Sequence, residues 1–222
     1  MSSEDRRSFW NDPSGIHVPL WRDADSVLLW EAVEQSAAES GLEALGRVEA
    51  GYLAGEAAKN FRPRGGLRAF KVSVYTGEPG RAAVLIFPAF DWATDEQEAD
   101  AVAVFARHLC EALEPPIARS YDPAGSNGCL EPHEITGALL WIDWWQYLGA
   151  PIVERVGRTK LESLEVSEVA ALGNGAVVVR ARRSPNEPFP RRPLADHLGI
   201  QLKPLRMWDP GTRTWSERDW PW

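Results

Sequence analysis

Apolar residues fall into short runs whose spacing switches between the periods of a helix and a strand. With Asp25 or Ser26 as N-cap, residues Val27 to Ser40 are predicted helical, and Gly41 is placed for a left-handed stop. Residues 42–60 fit neither pattern cleanly. Leu42, Leu45, Val48 and Tyr52 have helical spacing, but Gly46, Gly51 and Gly55 weaken it. Residues 62–66 are predicted to be a loop. Phe70, Val72 and Val74 then alternate with polar neighbours, as in a half-buried strand, and a turn at 77–80 leads to the continuous apolar run Ala82 to Phe87. These two form a predicted hairpin, with the second strand central in its sheet.

The strongest helical signal follows. Thr94 and Gln97 make a capping box. Ala99, Val102, Ala103, Ala106, Leu109, Cys110 and Leu113 form one apolar stripe, which Pro115 and Pro116 end. Ile117 to Tyr121 reads as a short strand, 122–133 as a long loop, and Ala138 to Trp145 as an apolar strand. Pro151 opens a helix. Residues 166–172 and 176–182 read as a hairpin closed by Gly173, Asn174 and Gly175. A short helix at 194–198 and a turn between Trp208 and Trp215 complete the order. Two-strand hairpins between helices predict an α+β fold with a largely antiparallel sheet and helices packed on one face. The chain of 222 residues is expected to be a single domain, with an irregular N-terminal arm over 1–24 and a Trp-rich tail over 207–222.

Composition narrows the class. No apolar run approaches membrane length, and the start of the chain lacks the apolar core of a secretory signal. With only Cys110 and Cys129, no disulfide framework is expected, and a reducing cytoplasmic location fits. The net charge of −8 is uneven: residues 1–60 sum to −6 and 91–134 to −8, against +4 for 61–90 and +2 for 135–222. A surface gathering the acidic stretches would repel nucleic-acid phosphates and attract a basic protein. The plainer reading is that the excess acid only keeps the chain soluble.

Candidate chemistry is sparse. His17, His108, His133 and His197 lie far apart and match no zinc motif, so neither a metal nor another cofactor is expected. Cys110 sits on the apolar stripe and reads as a buried thiol, while Cys129 lies in the loop. No nucleophile elbow is present, and the glycines at 173 and 175 belong to a hairpin. Asp91, Asp95, Glu96, Glu98 and Asp100 look like a metal cluster, but acids at a helix start are favoured by its dipole alone. Asp143 interrupts an apolar aromatic run. Facing inward, it needs an arginine from 155–192 or an indole N–H. Facing outward with Trp141 and Trp145, it makes an aromatic patch carrying one acid, the composition of a protein-binding hot spot. Trp30 and Trp92 read as core or staple residues, and Trp220 and Trp222 as docked or at an interface.

The aromatic run from Gly137 to Leu148, a helix, the valine-rich hairpin strand Val169 to Val179, Pro188 beyond it, and the segment Glu111 to Pro115 together resemble immunity proteins of bacterial polymorphic toxin systems. The resemblance spans residues 82–200 and is nearest to the group found beside restriction-endonuclease-fold nuclease toxins. The chain departs from that pattern at residues 144–147, in the N-terminal arm and in the tail. It implies an acidic, cytoplasmic, non-enzymatic α+β protein that neutralises a toxin by binding it, and it transfers no contact residues. The expected partner is a cognate toxin, basic and of a kind that includes nucleases, with neither nucleic acid nor membrane as partner. The expected contacts are Asp91, Asp95, Glu96, Asp100, Trp141, Asp143 and Trp145. Two competing classes are a small hydrolase or transferase pairing Asp143 with His133, and an adaptor that self-associates through its Trp-rich ends.

Overall fold

A computed structural model describes residues 15–51, 54–66, 68–87, 96–120, 144–183, 191–199, 205–209 and 214–218. In chain order the elements are β1 (Ile16–Pro19), α1 (Ser26–Glu39), β2 (Leu42–Ala50), β3 (Glu56–Pro63), β4 (Phe70–Tyr75), β5 (Ala83–Phe87), α2 (Glu96–Leu113), β6 (Ile117–Ser120) and β7 (Trp145–Leu148). Then come α3 (Ala150–Val156), α4 (Arg158–Glu162), β8 (Glu168–Ala171), β9 (Val177–Arg180), α5 (Arg191–Leu198), β10 (Leu205–Asp209) and β11 (Thr214–Arg218). The fold is α+β. Among the described residues nine strands join in the order β2-β3-β4-β5-β1-β6-β7-β9-β8, every neighbouring pair antiparallel, and β10 pairs with β11 separately.

Residues opposite each other on a ladder share a face, so the register sorts the side chains. Phe61, Phe70, Val72, Val84, Ile86 and Ile16 fall on one side. The two long helices cover it: Phe105 of α2 lies 6.1 Å from the Phe61 ring and 5.7 Å from Phe70, and Glu34 of α1 reaches Lys59 of β3. The predicted α2 stripe is buried throughout, and Phe105 joins it. The apolar run at 82–87 does become a central strand, buried at four of the five β5 positions because the sheet is covered on both faces there.

Several elements differ from the sequence reading, each for a local reason. The N-terminal arm is not irregular throughout: β1 lies inside it and occupies the middle of the sheet, between β5 and β6. Residues 42–50 form β2 and residues 56–60 belong to β3. Gly46 (φ 71°) sits where the β2–β3 register shifts between Leu45 and Glu49, and Gly55 (φ 77°) lies in the turn before β3. β3 runs on through Pro63, into the expected loop, and Arg62 pairs there with Glu43 of β2. The strand expected over 138–145 is observed from Trp145 to Leu148, residues 138–143 lying outside the described part. The single helix expected after Pro151 is two short ones, broken at Gly157 (φ 98°). Asp25 is the α1 cap, its Oδ1 accepting from the Val27 N–H at 2.8 Å, and Gly41 adopts φ 70°. Thr94 of the expected capping box lies outside the described residues.

Candidate functional site

The two long helices pack against each other on the sheet. His108 Nδ1 of α2 is 3.2 Å from Glu39 Oε2 at the end of α1, and Arg22, just before α1, donates to the carbonyl of Leu113 at the end of α2. Their sequences hold much of the molecule's negative charge: three acids and no lysine or arginine in α1, four acids against Arg107 in α2, a net of −6.

The sheet and its flanks answer part of that charge, and they do so unevenly. At the start of α2, Asp100 meets Arg180 at 2.5 Å, Glu98 meets Arg68 at 3.5 Å and Glu96 meets Arg183 at 3.9 Å. Arg180 is held firmly. Its guanidinium lies 5.2 Å from the centre of the Trp144 ring and donates to the carbonyls of Arg182 and Arg183, while the Trp144 indole donates to Arg182 O at 2.7 Å. Glu96 and Asp100 are thus surface residues, but both are already engaged within the chain.

Around α1 the negative charge is more open. Residues 22–40 hold five acids and Arg22, a net of −4. Lys59 takes Glu34 at 2.7 Å. Glu39 accepts from Gln35 at 3.0 Å, and that bond, opposed by desolvation and aided by His108, holds its carboxyl below the usual carboxylate range. Glu31 is exposed and has no ion-pair partner among the described residues. Val27 and Leu28, in the first turn, are 60% and 63% exposed, and Val104 of α2 is 44% exposed.

Of the expected contacts, Asp91, Asp95, Trp141 and Asp143 lie outside the described residues, as does His133 of the competing catalytic pair. Trp145 corrects its expectation. It is buried, not presented at the surface, because it pairs with Arg180 on the side of the sheet that α1 and α2 cover. Trp144 is buried as well, and Trp30 is partly buried against the core.

No protein-family model matches the chain, and no curated protein matches it. Among solved structures it is similar to one titled Pseudomonas aeruginosa T6SS protein PA0821, at 15% identity and a TM-score of 0.48, over 84% of this chain and 72% of that one.

Two further groups bear on chemistry. His17 of β1, Arg119 of β6 and Gln146 of β7 are direct cross-strand neighbours on the sheet face opposite α1 and α2, each under 5% exposed. Burial, and then the adjacent Arg119, hold the His17 imidazole down to about 3, so it is neutral at physiological pH. Sequence reading missed this row because its members are single polar residues in apolar strands, and only the register joins them. The second group is Ser163 with His197, whose Oγ and Nε2 are 2.9 Å apart, with the Lys160 carbonyl 3.3 Å from the same nitrogen and 3.1 Å from the hydroxyl. The consistent assignment has Nε2–H donating to Ser163 and the serine hydroxyl donating to Lys160. The histidine is then a donor that ties α5 to α4, and not a base aimed at a nucleophile. Among the described residues no helix is long and apolar enough to cross a membrane, and no three His, Cys, Asp or Glu side chains gather as a metal site.

Proposed function

We propose that this chain is a cytoplasmic immunity protein that binds a cognate secreted bacterial toxin, one with a basic surface such as a nuclease carries, and neutralises it by occluding its active site. The observation that supports this reading is the outer surface of α1. It is acidic, only partly answered by the chain's own bases, and it carries exposed apolar side chains beside the acids. Complementary charge speeds encounter and rejects wrong partners, while apolar groups beside it supply affinity once water is expelled. The same charge disfavours phosphate-bearing partners.

The test is growth. The product of the open reading frame adjacent to this chain's own is expressed alone and together with this chain. Toxicity alone, rescue on co-expression and recovery of the two proteins as one complex are the expected results. A harmless neighbour, or toxicity that this chain does not relieve, overturns the reading.

A further inference from the structure

A helix packed on a sheet by one face buries residues at i, i+4, i+7 and i+8, and α1 does this with Leu29, Val33, Ser36 and Ala37. Yet α1 begins with the continuous run Val27-Leu28-Leu29-Trp30. Only part of such a run can face the sheet. Leu29 is 2% exposed and Trp30 partly buried, which leaves Val27 and Leu28 in water at 60% and 63%. The run is longer than packing of α1 requires, and a surface helix with no further contact gains nothing from two adjacent large apolar residues there. Glu31 and Glu34 stand one and two turns after Val27 on the same outward stripe, and Gln35 and Glu39 two and three turns after Leu28.

We propose that this first turn, Val27 and Leu28 with Glu31 beside them, is the contact centre for a basic protein surface that carries an apolar ridge. The inference rests on the partner-binding reading above and narrows it. It places the contact at the start of α1 and away from Glu96 and Asp100, whose carboxylates would have to leave Arg183 and Arg180 to meet a partner. Charge selects the occupant. A second copy of this chain would set the acids of α1 against their own image, and an anionic lipid surface would be repelled in the same way. A surface with lysines or arginines around leucine-like side chains satisfies both the acids and the apolar pair.

The probe is a labelled amphipathic peptide with leucines along one helical face and lysines along the other, titrated with the full chain by fluorescence anisotropy. Its controls are an isomer with glutamates for the lysines and a peptide with serines for the leucines. Wild type is expected to bind the first peptide and neither control. The V27S/L28S variant is expected to bind it about tenfold more weakly, as loss of two contact side chains implies, and Glu31→Lys to weaken it further. Both positions are exposed, so the variants should unfold at the wild-type denaturant midpoint, which is measured alongside. Three results would overturn the proposal: no binding of the basic amphipathic peptide, equal binding by wild type and V27S/L28S, or a wild-type dimer in sedimentation that V27S/L28S abolishes. Growth rescue is scored separately with V27S/L28S. Full rescue by a variant that has lost the peptide removes this contact centre while leaving the immunity reading in place.

Discussion

Acid should weaken the fold through one residue, His17. Its side chain is 4% exposed in the central strand and stands directly across from Arg119. Burial first, and the guanidinium second, depress its pKa from 6.5 to about 3. Because the folded value lies below the unfolded one, the unfolded chain takes up a proton that the folded chain refuses. The contribution is therefore complete above about pH 6.5, falls as pH drops below it, and levels off only near pH 3. Each unit costs about 1.4 kcal/mol, so moving from about pH 7.5 to about pH 5 removes about 2 kcal/mol through this group. Urea unfolding of wild type and His17→Gln at both pH values gives the comparison. Other histidines contribute equally to both proteins, so the difference between the two pH responses isolates His17. A loss in wild type about 2 kcal/mol greater than in the variant is expected. Equal losses would show that His17 does not couple folding to pH, and a smaller loss in wild type would give the coupling the opposite sign.

The Arg180 network should respond asymmetrically. Asp100 is 59% exposed and its pair is screened by solvent, so Asp100→Asn should cost under about 1 kcal/mol in urea unfolding. Arg180→Ala should cost about 2–4 kcal/mol, because the Trp144 ring loses its packing and the carbonyls of Arg182 and Arg183 lose a charged donor. Similar costs for the two variants would show that the carboxylate carries the network. At the β8–β9 turn, Asn174 accepts from the Ala176 N–H at 3.1 Å and donates to the Tyr147 hydroxyl at 3.2 Å, a hydroxyl that burial pushes up to about 12. Asn174→Ala should cost about 1–2 kcal/mol. Its combination with Tyr147→Phe should cost less than the two single changes together, and a double-mutant cycle with strict additivity would contradict the hydrogen bond.

The elements legible in the sequence are those whose packing repeats within a short window. The α2 stripe from Ala99 to Leu113 contacts one sheet face along its length, and the Asn-Gly turn at 174–175 follows from backbone preferences alone. β1 was hidden because it is four residues long, follows a Pro- and Gly-containing stretch, and gains its stability from β5 and β6, more than sixty residues away in sequence. Residues 42–60 are ambiguous in sequence because Leu42, Leu45 and Val48 have helical spacing, whereas the glycines that argue against a helix serve a register shift and a turn between strands. Trp145 illustrates a limit of alternation. Pairing it with Trp141 as outward-facing assumes a strand with a solvent face, but β7 is buried at every position. For the candidate site, the acidity of both helices was visible in the charge distribution. That Glu96 and Asp100 are engaged by Arg183 and Arg180 was not, since each pair joins positions at least eighty residues apart. The apolar start of α1 was visible as a run of four, and only the buried stripe showed which two of them face water.

On the proposed function, the acidic outer surface of α1 receives a basic toxin. The most direct measurement is calorimetric titration of the full chain with the purified product of the adjacent open reading frame, at low and at raised salt. Saturable binding that weakens as salt rises, and weakens again when Glu31 is changed to Lys, is the predicted result. Absence of binding, or binding indifferent to both salt and the Glu31→Lys change, would contradict it.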